Sequence, residues 1–188
     1  KAQKLFDQCF EFIDGPDAPD LIIENNNNEF IFILTNSPTS NNYMEGYIES
    51  DGTNIIGYYD SDQTLPWRNE YVFEGYQVFQ LKDEYVSISD RYNTDLARLV
   101  FQCDVKNYRA ADGSITNEET ESPIAQLINF EYNQELEASI PNNMTIEAAN
   151  EGIYNTFSID RDFFTNGDSE LDSLKTYYYT VVAYAYNE

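Results

Sequence analysis

The sequence contains no histidine, and this excludes several kinds of active site and metal site. Imidazole is required for Ser-His-Asp and Cys-His nucleophilic catalysis, for His-ligated zinc and for most switches near neutral pH. Basic residues are also few, since ten Lys plus Arg stand against 34 Asp plus Glu, for a formal net charge of -24. The ten cations are scattered singly, and a chain this acidic repels phosphate backbones and anionic lipid. We therefore expect no nucleic-acid partner and no binding to a membrane surface.

Long apolar runs and known catalytic motifs are missing as well. No stretch of about 20 apolar residues occurs, so we expect no insertion into a membrane. The first ten residues lack the apolar core and cleavage site of a signal peptide, and we expect the chain to be a mature or excised piece. There is no P-loop, dinucleotide fingerprint or nucleophile elbow, and with 34 acids a glycosidase-like carboxylate pair arises by chance. We predict that the chain is not an enzyme and has no catalytic residues.

Aromatic residues, by contrast, are abundant. The 188 residues include 16 Tyr and 12 Phe, and 41% are hydrophobic, which is enough for a packed interior and argues against a disordered chain. An acidic, lysine-poor surface is typical of proteins in salty surroundings, where charges are screened within about a nanometre. We therefore expect an extracellular or cell-surface location.

Short β-branched and aromatic runs separated by polar turns predict a mainly β fold. The expected strands are Leu21–Glu24, Glu29–Leu34, Ile55–Tyr59, Tyr71–Leu81, Ile124–Tyr132, Gly152–Ile159 and Thr176–Tyr186. One short helix is predicted for Asn93–Val105, because Asn93 or Thr94 can cap it and apolar residues from Leu96 to Cys103 form one stripe.

The last expected strand has a more specific pattern. Tyr177, Tyr179, Val181 and Ala183 alternate on one face, and Leu171 lies six residues before Tyr177. This resembles the penultimate strand, strand F, of fibronectin type III domains, where a Leu and a Tyr form the tyrosine corner. The resemblance implies that the Tyr177 ring packs in the core and that its hydroxyl bonds backbone near the preceding turn.

Other segments extend the resemblance. Glu74–Phe79 looks like strand C of that family, and Leu21–Glu24 and Phe30–Leu34 match its strands A and B in order. The amino-acid sequences of segments 14–20, 74–80 and 176–180 also resemble those of sandwich modules in large secreted proteins of the Bacteroidota, which are exported by a type IX system.

The resemblance implies an immunoglobulin-like, fibronectin type III-like antiparallel β-sandwich with long insertions and one short helix. Residues 1–19 would be an N-terminal extension, and residues 20–188 a single elaborated domain. Its function would be structural: adhesion or assembly of a secreted or cell-surface protein. The family's last strand, G, does not follow segment 176–186, so a neighbouring domain or subunit is expected along that edge. It would come from a longer polypeptide or from a second subunit, as in a fibre or homopolymer built by strand donation.

Cys9 and Cys103 are the two cysteines. In a secreted chain they predict one disulfide, which would connect the N-terminal segment to the expected helix; two buried thiols are the alternative.

Acidic loops suggest calcium, because hard cations prefer several carboxylate and carbonyl oxygens on a flexible segment. The candidate ligands are Asp14, Asp17, Asp20, Asp160, Asp162 and Asp168. These residues lie in two segments, 14–20 and 160–168, and neither has EF-hand spacing. The alternative is that both segments are solvated acidic loops without a bound ion.

Three aromatic residues, Tyr58, Tyr59 and Trp67, fall in one irregular segment with Asp60 and Asp62. They could stack on sugars, which would make the chain a carbohydrate-binding module of a secreted hydrolase. The alternative is that they anchor a long loop to the sandwich.

Overall fold

The structure is a computed structural model that describes residues 14–50, 70–111, 115–119, 126–133, 138–145, 150–165 and 169–187. At 109, 115, 126–133, 138–145 and 187 only the backbone is described. The strands are β1 (Asp20–Asn26), β2 (Glu29–Thr35), β3 (Ile48–Ser50), β4 (Glu70–Leu81), β5 (Ala97–Asp104), β6 (Tyr108–Arg109), β7 (Ile115–Thr116), β8 (Gln126–Asn133), β9 (Ala138–Thr145), β10 (Thr156–Ile159) and β11 (Tyr178–Asn187). Two single 3-10 turns cover Tyr43–Glu45 and Ile88–Asp90.

The first sheet has the antiparallel order β1-β2-β10. Its first two strands form a hairpin in which Asn26 pairs with Glu29. The two-residue turn needs a left-handed backbone, which Asn27 adopts with φ 57°. β10 then pairs with the other side of β2, with Phe157 opposite Phe32.

The second sheet is built around β4. Along one side β11 pairs antiparallel with Tyr71–Leu81, from Tyr178 opposite Leu81 to Asn187 opposite Tyr71. Along the other side β5 pairs with Gly75–Leu81 and β3 with Glu70–Val72. β6–β7 and β8–β9 are separate two-stranded pairs.

A β-bulge interrupts the β4–β11 ladder. Tyr184 lies opposite Gly75 and Ala185 opposite Phe73, so Glu74 is the extra residue. The bulge therefore belongs to β4, and β11 continues through it without interruption.

The two sheets pack face to face through aromatic rings. Phe32 of β2 makes an edge contact with Tyr179 of β11, with ring centroids 4.8 Å apart. Phe101 of β5 stacks on Phe157 of β10. The buried core also includes Leu34, Tyr47, Phe73, Tyr76, Val78, Cys103, Ile159 and Val181. The expected mainly β, antiparallel sandwich is confirmed.

The helix predicted for Asn93–Val105 is wrong. Asn93 does begin one turn, since its carbonyl accepts from the amides of Leu96 and Ala97, but the chain then continues as β5. Pairing with β4 along Ala97–Asp104, together with the β-branched and aromatic Val100 and Phe101, outweighs a local capping signal.

Residues that follow β4 cover its outer face, which points away from the core. Tyr92 makes an edge contact with Phe79, and its hydroxyl donates to Gln77 Oε1 at 3.4 Å. Gln77 also donates to Gln102 Oε1 at 2.9 Å. As a result β4 is buried on both faces from Phe73 to Gln80.

Candidate functional site

The candidate interaction site is the outer edge of β11, meaning the side of that strand turned away from β4. Within the described residues β11 pairs with β4 alone. The strand is ten residues long, YYTVVAYAYN, and contains no charged residue, Pro or Gly. Natural edge strands are usually shortened, charged, bulged or covered, because an open ladder invites another strand. Among the described residues no strand pairs with this side of β11.

The core fixes β11 in place. Tyr179, Val181 and Ala183 pack into the core cluster, and Phe30 and Phe32 make edge contacts with the Tyr179 ring. Burial raises the pKa of Tyr179, with the charges of Tyr177 and Asp162 adding to the effect. Thr180 and Val182 lie on the opposite face, so the register of the strand is firmly set.

The beginning of β11 is held by Tyr177. Its hydroxyl accepts a hydrogen bond from the backbone N–H of Asp172, five residues upstream, at 2.7 Å. Phe30 contacts the ring edge-on, and the Lys175 ammonium lies 5.2 Å from the ring centroid. Leu171, expected beside Tyr177 in a tyrosine corner, is half-buried.

Asp162 connects the segment before β11 to β4. Its Oδ1 accepts from Gln80 Nε2 at 2.8 Å and from the Phe164 amide at 3.0 Å, and its Oδ2 accepts from Lys175 Nζ. Burial alone would raise the pKa of this carboxyl, but hydrogen bonds from Lys175, Phe164 and Gln80 together hold the pKa below its usual value. Asp162 was a candidate metal ligand, and its oxygens are occupied by these protein donors.

The other candidate calcium ligands are dispersed. Asp17 exchanges hydrogen bonds with Asn41, Asp20 begins β1, and Asp160 lies 3.5 Å from Arg161 Nε. Asp14 accepts from the Tyr47 hydroxyl through its backbone carbonyl. Asp168 lies outside the described residues. Nowhere in the described ranges do three or more His, Cys, Asp or Glu side chains form a group suited to a metal ion.

Cys103 is buried, and its Sγ lies 3.7 Å from the Tyr154 carbonyl oxygen. Burial raises the pKa of this thiol. Cys9 lies outside the described residues, so the disulfide stays a prediction. The proposed sugar platform of Tyr58, Tyr59 and Trp67 also lies outside them.

The structure brings together three cations that are far apart in the sequence. A cleft of about 450 Å³ is lined by Lys82, Arg98 and Lys175, by one acidic residue, Asp95, and by the rings of Phe164 and Tyr177. We call this set the basic cleft. The Arg98 guanidinium lies 5.4 Å from the Phe164 ring centroid. Its Nε is buried and has no hydrogen-bond partner in the described part of the chain. Sequence reasoning missed this cleft because the pairing of β5 with β4 places Arg98 there.

The fold and this edge define a class: an antiparallel β-sandwich with a long, uncharged edge strand. Comparison of the chain with protein-family models, curated proteins and solved structures finds no match. Among the residues that the structure describes, no helix is both long and apolar enough to span a membrane.

Proposed function

We propose that this chain is a non-enzymatic structural module of an extracellular or cell-surface protein, and that a polypeptide partner adds a strand to the outer edge of β11. The observation that carries the proposal is the composition and position of β11. Ten residues without charge, Pro or Gly form an edge strand that, within the described residues, is paired on one side.

The strand order supports the resemblance on which the structural role rests. β1, β2 and β10 form one sheet, and β11 and β4 are neighbours in the other. If these strands correspond to A, B, E, F and C of an immunoglobulin-like sandwich, the outer edge of β11 is where strand G would pair. The proposed partner would take that position.

Backbone pairing is the source of affinity at such an edge. Every second residue of an antiparallel strand turns both its N–H and its C=O to the same side, so about half of the β11 residues can bond a new strand. Each such bond contributes about 0.5–1.5 kcal/mol net. Side chains of the added strand would pack beside Thr180 and Val182 on the outer face and beside the core residues on the other.

The test uses a second copy of the chain as the probe. Sedimentation velocity at rising concentration is expected to show self-association, and Thr180→Lys should shift the protein to monomer by placing a charge beside the edge. Ile22→Lys is the matched control, because Ile22 is 47% exposed on β1 of the other sheet.

Amide hydrogen exchange on the monomer provides the second measurement. If the edge is open, alternate β11 amides exchange quickly and the intervening ones, bonded to β4, exchange slowly. Uniform protection of β11 in the monomer would show that another part of the chain covers the edge, and the proposal would then be wrong. Fast exchange without self-association would retain the edge but exclude a second copy as its partner.

The basic cleft favours a second candidate function, which is carbohydrate binding. Phe164 and Tyr177 line the cleft with aromatic rings, and Lys82 and Arg98 outnumber Asp95 there in a chain of net charge -24, which suits an acidic sugar. Affinity electrophoresis with a uronic-acid polysaccharide should show salt-dependent retardation that Arg98→Gln removes. Arg91→Gln is the control, because Arg91 stacks on Tyr92 outside the cleft. If Trp67→Ala, and not Arg98→Gln, abolishes retardation, the platform predicted from the sequence binds the sugar.

A further inference from the structure

Two carboxylic acids are buried together at the bulge of β4. Glu74, the extra residue of the bulge, is 5% exposed, and Asp104, the last residue of β5, is 0% exposed. Asp104 lies opposite Gly75 in the β4–β5 pair, so the two acids occupy adjacent positions of the sheet. Asn107 and Asn150, also buried, lie beside them, and we call these four residues the acid cluster.

Hydrogen bonds hold the acid cluster in one arrangement. The side chain of Asn107 donates from Nδ2 to Glu74 Oε2 at 2.9 Å, and its backbone N–H donates to Asn150 Oδ1 at 3.0 Å. The backbone N–H of Asn150 in turn donates to Asp104 Oδ1 at 2.9 Å. The Val105 amide completes the connection by donating to the Glu74 carbonyl at 2.7 Å. These bonds connect both acids through the two asparagines, so the side chains are positioned before any ligand arrives.

Several oxygens of this arrangement are buried without a partner. Glu74 Oε1, Asp104 Oδ2 and Asn107 Oδ1 have no hydrogen-bond partner among the described residues, and the same holds for Asn150 Nδ2 and the nearby Tyr184 hydroxyl. A buried carboxylate oxygen without a donor or a cation is costly, and native structures contain few of them. Three such oxygens in one hydrogen-bonded group therefore point to a bound cation that the oxygens coordinate.

Asp162 is a buried carboxylate of the same protein whose oxygens are both bonded by protein groups, and it serves as a comparison. It is 2% exposed, yet both its oxygens are bonded, and Lys175 supplies the opposite charge. The ion pairs of the described residues, Arg161–Asp160 and Lys175–Asp162, involve neither Glu74 nor Asp104. No protein cation in this set balances the acid cluster.

We propose that Glu74, Asp104 and Asn107 bind a calcium ion. Ca²⁺ prefers carboxylate and amide-type oxygens, tolerates irregular geometry and completes its coordination with backbone carbonyls and water. Among the described residues, no three His, Cys, Asp or Glu side chains form a group suited to a metal ion. The proposed site differs from such a group because it has two carboxylates and takes its third side-chain oxygen from the amide of Asn107.

In the absence of a neighbouring cation, burial disfavours the charged form of both acids. Burial raises the pKa of Glu74 to about 8, against the lowering effect of the Asn107 hydrogen bond, and the charge of Asp104 raises it further. Burial also raises the pKa of Asp104 to about 6, with Glu151 adding to the effect.

The test adds Ca²⁺ alone to the full chain, at a pH above the pKa of Glu74. Isothermal titration calorimetry is expected to show one ion per chain, and thermal unfolding in Ca²⁺ should occur at a higher temperature than in EDTA. Glu74→Gln and Asp104→Asn should each weaken binding by about tenfold or more, since even outer-shell changes cost that much. Terbium luminescence, excited through nearby tyrosine rings and lost when excess Ca²⁺ displaces the Tb³⁺, reports binding independently of stability.

Two controls keep the proposal falsifiable. Asp17→Asn and Asp160→Asn alter the acidic loops and should leave calcium binding unchanged. Asn107→Ala provides a milder variant if Asp104→Asn fails to fold. Calcium binding that survives Glu74→Gln but is lost in the loop variants would overturn the assignment. So would a Glu74→Gln variant that unfolds at a higher temperature while Ca²⁺ has no effect on either protein, because the acids would then be buried in the neutral form.

Discussion

The Tyr184 hydroxyl lies directly over the backbone of Gly75, across the β4–β11 pair. A Cβ built on Gly75 would be 2.7 Å from that hydroxyl and would also collide with the Cys103 carbonyl. The Tyr184 hydroxyl and the Cys103 carbonyl together occupy the space that any side chain at position 75 would need, and the carbonyl, being backbone, is the harder of the two to move. This is the physical reason for a glycine in the middle of a buried strand.

We predict that Gly75→Ala destabilises the protein by about 1–3 kcal/mol or more, because backbone atoms must move to accept the methyl group. Urea unfolding followed by circular dichroism measures the free energy of unfolding. Gly15→Ala is the control, since a Cβ there meets nothing within 4 Å. Equal stability of the two variants would mean that the strands separate at little cost.

Tyr177→Phe should lower the free energy of unfolding by about 0.5–1.5 kcal/mol, because the Asp172 amide loses its acceptor while the ring packing remains. Tyr85→Phe, at a residue that is 86% exposed, should change nothing measurable. If the Tyr177 variant is as stable as the Tyr85 variant, the hydroxyl does not help to hold the beginning of β11.

Asp162 should make the protein sensitive to acid. Its pKa in the folded protein lies below the usual 3.8, so its stabilising effect is complete above that value and is lost as the pH falls through the lowered folded pKa. Asp162→Asn should therefore lower stability at neutral pH and reduce the stability that the protein loses on acidification in that range. Thermal unfolding across a pH series checks this, and parallel curves for the two proteins would contradict it.

Mass spectrometry after alkylation tests the predicted Cys9–Cys103 disulfide. Denatured, non-reduced protein is treated with an alkylating agent, and a mass without added label is expected if the two residues are joined. Two labels would exclude the bond. The same reagent on native reduced protein should modify Cys103 slowly, because this thiol is 2% exposed.

Local signals predicted the hairpin, the long strand β4 and the last strand β11. Asn27 supplies the turn, and the alternation of Tyr179, Val181 and Ala183 already marks the core face of β11. The helix predicted after Asn93 is wrong because the helical stripe and the strand pairing use the same residues, and only contact with β4 decides between them.

The sites were less predictable than the strands. Lys82, Arg98 and Lys175 share a cleft because β4, β5 and the segment before β11 meet there. Glu74 meets Asp104 for a similar reason: a bulge and a strand register, neither visible in the residue types, make them neighbours.

The bulge at Glu74 also determines where β4 can lose a residue. Side chains of a strand alternate between faces, so deleting one residue normally turns all those on one side of the gap to the wrong face. Glu74 is the exception, because Phe73 and Gly75 are already opposite consecutive residues of β11, Ala185 and Tyr184. A chain without Glu74 would keep Phe73 in the core and fold as a regular strand, whereas loss of Gln77 would misplace half of β4. A length variant at this one position would therefore retain the sandwich while removing an acid from the cluster.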